Sequence, residues 1–205
     1  MNPKQTPTSQ LIEAAETGDT DAIHQLLKEG ADVNGRDARG RTPLMAATHG
    51  TQAKSVRVLL QAGADINLRD NRSDNPFLYA GAEGLAEILS LAIEAGADTK
   101  LTNRFGGTAL IPAAERGHVE IVRELLTRTD VDVNHVNNLG WTALLEAIVL
   151  GNGSPRQLEV VRLLIEAGAE VNLADANGAT PLALARQRNY EGIIEVLLKA
   201  GAGLS

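Results

Sequence analysis

Arginine is the residue whose chemistry and spacing stand out most in this sequence. Seven of the fourteen arginines lie at predicted turns or helix ends between residues 36 and 116. They are Arg36, Arg39, Arg41, Arg69, Arg72, Arg104 and Arg116. The planar guanidinium group suits bidentate pairing with carboxylate or phosphate. A set of large apolar residues overlaps with these arginines and continues beyond them: Phe105, Leu139, Trp141, Val149 and Leu150. Together they indicate a binding surface.

The sequence offers no arrangement typical of catalysis or of metal binding. Its four histidines form no Ser/His/Asp or Cys/His pattern and no His-Glu-x-x-His motif. Cysteine is absent, which excludes disulfides and thiolate metal sites. The glycine-rich segment at residues 151–154 lacks the lysine and the preceding strand of a phosphate-binding loop. We therefore predict no enzymatic activity, no catalytic residues, no cofactor and no bound metal.

The elements that must position these residues recur along the chain. A short opening, most often Thr-Pro-Leu or Thr-Ala-Leu, appears six times at offsets of 33, 33, 33, 34 and 38 residues. The openings begin at Ser9, Thr42, Asn75, Thr108, Thr142 and Thr180. A fixed period of roughly 20 to 50 residues marks a solenoid whose repeats cannot bury their apolar faces alone.

Each repeat combines a helix start with a turn. The first residue of the opening is expected to cap a helix, and a proline at the next position loses no hydrogen bond. Two apolar-periodic segments follow that are too short to be stable helices on their own. Most repeats close with Gly-Ala-Asp/Glu-x-Asn or a variant, followed by Asp/Asn-x-x-Gly, a pattern that favours a type I turn. Ser73 replaces the glycine in one of these turns.

Opening, close, turn and period together resemble the ankyrin repeat, from about Ser9 to Ala202. The resemblance implies an all-α repeat solenoid of stacked helix-turn-helix units with short β-hairpin fingers, in a stand-alone protein of bacterial type. We expect helices to fill well over half of the chain, and a flexible leader at residues 1–8 before a single domain at 9–205. The expected repeats are 9–41, 42–74, 75–107, 108–141, 142–179 and 180–205.

In ankyrin repeats a concave groove is built by residues beside the turn, by the residue before the opening and by the end of the first helix. Carried over by position, these places hold all seven arginines and all five apolar residues, whereas Phe77 and Tyr79 are expected in the core. The resemblance implies a non-catalytic module that binds a protein segment of acidic and apolar character. Two alternatives stay open. The arginines could serve solubility while Trp141 packs on a finger, or the arginines of repeats two to four could bind a small anionic ligand.

Composition restricts the partners and the location. The formal net charge of −7 argues against broad nucleic-acid binding, which draws on dense positive surface. No apolar run approaches the length of a membrane span, and the N-terminus has no apolar signal region. We expect a cytoplasmic monomer that contacts neither nucleic acid nor membrane.

Overall fold

The computed structural model describes residues 6–203, which form twelve helices in six pairs. The helices are α1 Pro7–Thr17, α2 Thr20–Lys28, α3 Pro43–His49, α4 Ala53–Gln61, α5 Pro76–Glu83, α6 Ala86–Glu94, α7 Leu110–Glu115, α8 Val119–Arg128, α9 Ala143–Val149, α10 Pro155–Glu166, α11 Pro181–Gln187 and α12 Glu191–Lys199. The chain divides into two compact units. The N-terminal unit runs to Ala80 and includes Leu85–Asp98, and the C-terminal unit comprises Gly81–Gly84 and the chain from Thr99 onward.

The six helix pairs confirm the predicted repeat architecture. Helices take up about half of the chain, a smaller share than predicted, because the fingers and the connections use the rest of each repeat. Residues 6–203 contain no assigned strand. The hairpin shape of each finger is held by a backbone bond across its turn, as from Asp37 N–H to the Arg41 carbonyl at 3.1 Å.

Four openings cap the first helix of their repeat as predicted. The side-chain oxygen of Thr42 accepts the N–H three residues later at 3.1 Å, and that of Asn75 does so at 2.8 Å. Thr142 and Thr180 make the same bond at 3.2 and 3.3 Å. Because the first amides of a helix have no partner inside it, these bonds fix where each helix begins.

The fourth opening does not cap its helix. The Thr108 hydroxyl is buried without a hydrogen-bond partner, and α7 begins only at Leu110. Pro112 explains the difference, since it lies four residues after Thr108 and has no N–H to donate to the Thr108 carbonyl. That carbonyl accepts the Ile111 N–H at 3.3 Å instead, which makes a tighter first turn.

The first helix begins earlier than predicted. Residues 1–5 of the predicted leader lie outside the described residues, whereas residues 6–8 belong to the start of α1. Thr6, rather than Ser9, is the cap, and its Oγ1 accepts the Ser9 N–H at 3.1 Å. Thr6 and Pro7 form a cap–proline pair one turn before the 33-residue register, so α1 is longer than the other first helices.

One Asp or Asn side chain builds each finger turn, which confirms the predicted turn signal. Asp37 Oδ1 accepts the Arg39 N–H at 2.8 Å and the Arg41 N–H at 2.9 Å. The same two bonds form at Asp70, Asn103, Asn137 and Asp175. The fourth turn residue is left-handed, with φ of 75° at Gly40 and 65° at Ser73. Glycine adopts this conformation without steric cost, which explains its preference there.

The asparagine at the close of a repeat joins it to the next repeat. Within the N-terminal unit, Asn34 Oδ1 accepts the Asp65 N–H at 2.9 Å, and Asn67 makes the same bond at 2.8 Å. Within the C-terminal unit, Asn134 bonds the following repeat in this way at 2.8 Å. The closing signature therefore sets the register between successive fingers.

The core lies between the helices of successive repeats. The third residue of every opening is at most 2% exposed. These residues are Leu11, Leu44, Phe77, Leu110, Leu144 and Leu182. The second helices add buried residues such as Ile23, Leu59 and Ile121. Short amphipathic helices are thus stabilised by packing on their neighbours.

Candidate recognition surface

The finger tips of the N-terminal unit present arginine to solvent. The Arg39 side chain is 69% exposed, with its Nε 3.7 Å from Asp37 Oδ2. Arg72, at the equivalent place in the next finger, is also exposed. The Asn71 N–H donates to the Arg39 carbonyl at 3.0 Å, which holds the two tips together. Arg39 and Arg72 therefore form a positive pair at the surface of this unit.

Two other arginines of this unit brace the fingers. Arg36 Nη1 donates to the Gly40 carbonyl at 3.0 Å and to the Arg69 carbonyl at 2.6 Å. Arg69 Nε donates to the Ser73 carbonyl at 3.1 Å. These bonds leave only part of each guanidinium for another molecule.

Arg41 was expected on the surface, and this expectation is wrong, because its side chain is only 4% exposed. Its Nη1 and Nη2 donate to the two Glu16 oxygens at 2.8 and 3.2 Å, and its Nε donates to Asp37 Oδ2 at 2.8 Å. The bond from Arg41 holds the pKa of Glu16 below its usual value. Carboxylates from α1 and from its own turn thus draw this guanidinium inward.

Tyr79 also departs from expectation. Phe77 is fully buried as predicted, but Tyr79 is half-buried, and its ring centroid lies 4.4 Å from that of His49. His49 ends α3, and burial lowers its pKa. The finger-side face of this unit, meaning its finger tips and the ends of its first helices, therefore includes a His–Tyr contact.

The finger tips of the C-terminal unit are apolar instead. Phe105 is 53% exposed and Leu139 is 55% exposed. The Asn138 N–H donates to the Phe105 carbonyl at 3.0 Å, so these tips lie on joined fingers. The Arg104 guanidinium carbon lies 4.5 Å from the Phe105 ring centroid, a cation–π contact. Arg104 thus remains beside the apolar tips.

Further apolar side chains line the same face of the C-terminal unit. Leu150 is 50% exposed at the end of α9, while Trp141 and Val149 are half-buried. Val136, which lies beside the same finger turn at a place that the resemblance assigns to the groove, is 47% exposed and joins them. We call this set the apolar surface, and it comprises Phe105, Val136, Leu139, Trp141, Val149 and Leu150.

Arg116, the seventh candidate arginine, is bonded within the C-terminal unit. Its Nη1 donates to the Ala82 carbonyl and to Glu83 Oε1, both at 2.6 Å. Its side chain remains 41% exposed, so screening by solvent keeps this ion pair weak. The pair nevertheless gives Arg116 a local counter-charge.

A buried carboxyl group lies beneath the apolar surface. Glu146 in α9 is 6% exposed, and its Oε1 accepts a hydrogen bond from Asn137 Nδ2 at 2.7 Å. Burial, followed by the charge of Glu115, raises the pKa of Glu146 to about 7. Sequence reasoning missed this group. The equivalent places in the other repeats hold Glu13, Ala46, Tyr79, Pro112 and Leu184, which show no common polarity.

Gln157 is a second polar residue that the sequence did not reveal. It is 3% exposed, and its Nε2 donates to the Ala114 carbonyl at 2.6 Å and to the Ala147 carbonyl at 3.0 Å. Ala114 lies in the last turn of α7 and Ala147 in that of α9, where helix carbonyls lack partners. Gln157 thereby fixes the helix ends that support the apolar surface.

Paired short helices, with finger turns that an Asp or Asn side chain builds, are the features of one family. A family model described as ankyrin repeats (3 copies) matches residues 2–70 and 77–175. The chain belongs to the ankyrin repeat family, whose repeat domains generally serve as protein–protein interaction modules. The ankyrin repeat protein YahD of Escherichia coli strain K12 is 43% identical over 202 residues, which cover 98% of this chain and 100% of YahD.

Solved structures share the fold. An ankyrin repeat domain from Acinetobacter baumannii AYE is 53% identical, with a TM-score of 0.91, and the match covers 94% of this chain and 98% of that domain. The ankyrin repeat domain of Bcl-3, a member of the IkappaB family, is 27% identical with a TM-score of 0.85, covering 98% of this chain and 89% of that domain. These relatives are named as repeat proteins or repeat domains rather than as enzymes. Between residues 6 and 203, no helix is both long and apolar enough to cross a membrane.

Proposed function

We propose that this chain is a non-catalytic recognition module that binds a segment of another protein through the finger-side faces of its units. The apolar surface carries this proposal. Of the five large apolar side chains exposed within residues 6–203, four belong to it, and only Leu198 lies elsewhere. Single exposed apolar residues are ordinary, whereas a group on one face typically marks an interface.

The residue types on these faces suit a protein partner. Tryptophan, as at Trp141, often dominates binding energy when desolvated, and phenylalanine, as at Phe105, is enriched in the cores of interfaces. Arg39 and Arg72 on the N-terminal unit favour acidic residues in the partner and would speed its approach. We therefore propose a partner with an acidic stretch and with apolar anchors, bound by a cytoplasmic monomer that uses no cofactor.

Several of the candidate arginines already bond to groups of this chain. This favours a protein segment over a small anionic ligand as the partner. Arg41 is buried between two carboxylates, Arg36 and Arg69 bond to finger carbonyls, and Arg116 pairs with Glu83. A small ligand needs several polar groups that converge in a concave site. An extended partner can instead use exposed arginines one at a time.

The test requires a partner and two leucine variants. Crosslinking followed by mass spectrometry identifies the partner, and calorimetry then measures its binding to Leu139→Ser and to Leu198→Ser. Leu139 is 55% exposed on the apolar surface, and Leu198 is 44% exposed on α12. We expect Leu139→Ser to weaken binding by about tenfold or more, because it removes an anchor, and Leu198→Ser to bind normally. Equal affinities for the two variants, with unchanged thermal melts, would contradict the proposed function.

A further inference from the structure

The C-terminal unit holds two carboxylates beside its apolar surface. Glu146 is almost completely buried, and its bond from Asn137 occupies one carboxylate oxygen. Glu115, half-buried in the last turn of α7, lies close enough to act on the charge of Glu146. Among residues 6–203, no arginine or lysine of this chain forms an ion pair with either carboxylate.

The first repeat shows what such a carboxylate does elsewhere in the same fold. Glu16 lies seven residues after the opening at Ser9, as Glu115 lies seven residues after the opening at Thr108. Glu16 receives a guanidinium from Arg41, at 2.8 Å. Arg41 is the residue directly before the next opening.

In the C-terminal unit that place is taken by Trp141, the residue directly before the opening at Thr142. The main chain there is the same, since Asn137 Oδ1 accepts the Trp141 N–H at 3.1 Å just as Asp37 accepts that of Arg41. Trp141 therefore puts an indole where the first repeat has the guanidinium of Arg41. As a result, Glu115 lacks the paired cation that Glu16 has. Indole is the aromatic group to which cations bind best.

We propose, building on the proposed function, that the partner segment inserts one cationic side chain, preferably arginine, beside Trp141 and the Glu115–Glu146 pair. Apolar residues that flank this arginine in the partner pack on the exposed tips of Phe105 and Leu139. The bound guanidinium takes the role that Arg41 has in the first repeat.

The choice of a cationic side chain rests on its charge complementarity to the two carboxylates. A buried carboxylate without a cation is costly, and a second carboxylate nearby adds to the cost. A guanidinium can pair with a carboxylate in its plane while its face stacks on an aromatic ring, which a compact ammonium does less well. The raised pKa of Glu146 is consistent with a group that lacks a counter-ion. Arg116 does not supply one, because it is paired with Glu83.

The experiment uses the full chain and peptides selected on it. A random dodecapeptide phage library is selected against the protein, and the best binder is synthesised with arginine and with its neutral isostere citrulline. Trp141 is the only tryptophan, so its fluorescence reports on the proposed site. Both peptides are titrated into the wild type and into Glu115→Gln and Glu146→Gln. Glu120→Gln, at an exposed position of α8, is the matched control.

We expect the selected peptides to contain arginine among apolar residues and to shift the emission of Trp141. Citrulline, Glu115→Gln and Glu146→Gln should each weaken binding by about tenfold, and the citrulline peptide should not distinguish the variants. Glu120→Gln should bind as the wild type does. If citrulline binds equally well while Leu139→Ser still loses the peptide, the cationic anchor is wrong and the proposed function stands. If no peptide is selected, or if Leu139→Ser binds every peptide normally, the proposed function fails, and the cationic anchor fails with it.

Discussion

Side chains only two residues apart can have opposite roles in this protein. The Arg39 side chain is 69% exposed at a finger tip, whereas that of Arg41 is 4% exposed between Glu16 and Asp37. The sequence places both at the edge of the same turn. It cannot show that Glu16, 25 residues earlier on α1, draws one of them inward, because that pairing depends on how repeats stack. Position within a repeat is readable from sequence, and pairing between repeats is not.

Glu146 gives a prediction for stability at different pH values. Its pKa is raised in the folded protein to about 7, so the folded state holds this proton more tightly than the unfolded chain does. The contribution is therefore favourable below the unfolded value of 4.5 and is lost as the pH rises through about 7. We expect Glu146→Gln to match the wild type near pH 5 and to exceed it near pH 8 by roughly 2 kcal/mol. Urea unfolding at the two pH values measures this.

Exposed Glu120 supplies the control for that comparison. Glu120→Gln should follow the wild type at both pH values, because its carboxyl is already in water. The prediction is wrong if the difference in stability between Glu146→Gln and the wild type is the same at both pH values. Ionisation of the buried carboxyl would then not destabilise the fold.

The finger is the element that the sequence predicts most completely. Five Asp or Asn residues, each with a left-handed residue three places later, build five turns by the same two hydrogen bonds. Helix starts are nearly as readable, since four openings cap as expected. Of the two exceptions, Ser9 gives way to Thr6 as the cap of α1, and Thr108 fails to cap because the missing N–H of Pro112 shifts the start of α7. The opening therefore predicts the helix start unless a proline within the next helical turn removes the N–H that the first backbone bond needs.

Ser73 offers a test of the turn geometry. It is a non-glycine residue with φ of 65°, where the other four turns have glycine. Because the left-handed region is strained for a residue with a Cβ, Ser73→Gly should stabilise the protein by about 0.5–1 kcal/mol. Thermal melts should show a midpoint higher by roughly 1–4 °C.

Gly178 allows the reverse change as a matched comparison. Its φ is +80°, and a Cβ added there would meet nothing within 4 Å. Gly178→Ser should therefore lower the midpoint through backbone strain alone. If Ser73→Gly lowers the midpoint, or if Gly178→Ser leaves it unchanged, the serine is not a strained substitute for glycine.

On the scale of the whole molecule, the array of repeats decides where damage matters. Leu11 and Leu144 occupy the same place in the first and fifth repeats and are 0% and 1% exposed. Truncating a buried leucine costs about 2–5 kcal/mol when the cavity cannot collapse. Because each repeat packs only on its neighbours, an end repeat can fray, whereas an inner one cannot. We expect Leu144→Ala to reduce the free energy of unfolding more than Leu11→Ala, as measured in urea. Equal losses would argue against an array of this kind.

The period, the buried leucines and the class of fold can be predicted from the sequence, because the same residue pattern recurs in each repeat. The recognition surface follows less well. Phe105, Leu139 and Leu150 are exposed as predicted, yet Trp141 and Val149 are half-buried rather than exposed. Tyr79 is half-buried rather than in the core, and Glu146 carried no signal. These residues occupy variable places of the repeat, where one residue type can face solvent in one repeat and a neighbour in the next. The repeated pattern therefore predicts the scaffold but does not predict the surroundings of residues that differ from one repeat to the next.

The choice between acid and amide at the turns has a consequence for acidic media. Asp37 and Asp70 build the turns of the N-terminal unit, whereas Asn103 and Asn137 build the fingers that carry Phe105 and Leu139. A carboxylate takes up a proton in acid and accepts amide hydrogen bonds less strongly, but a carboxamide does not titrate. Acidification should therefore loosen the turn that Asp37 builds and leave the fingers that Asn103 and Asn137 build in shape. A one-atom difference in a turn side chain, oxygen against nitrogen, thus decides which finger turns tolerate acid.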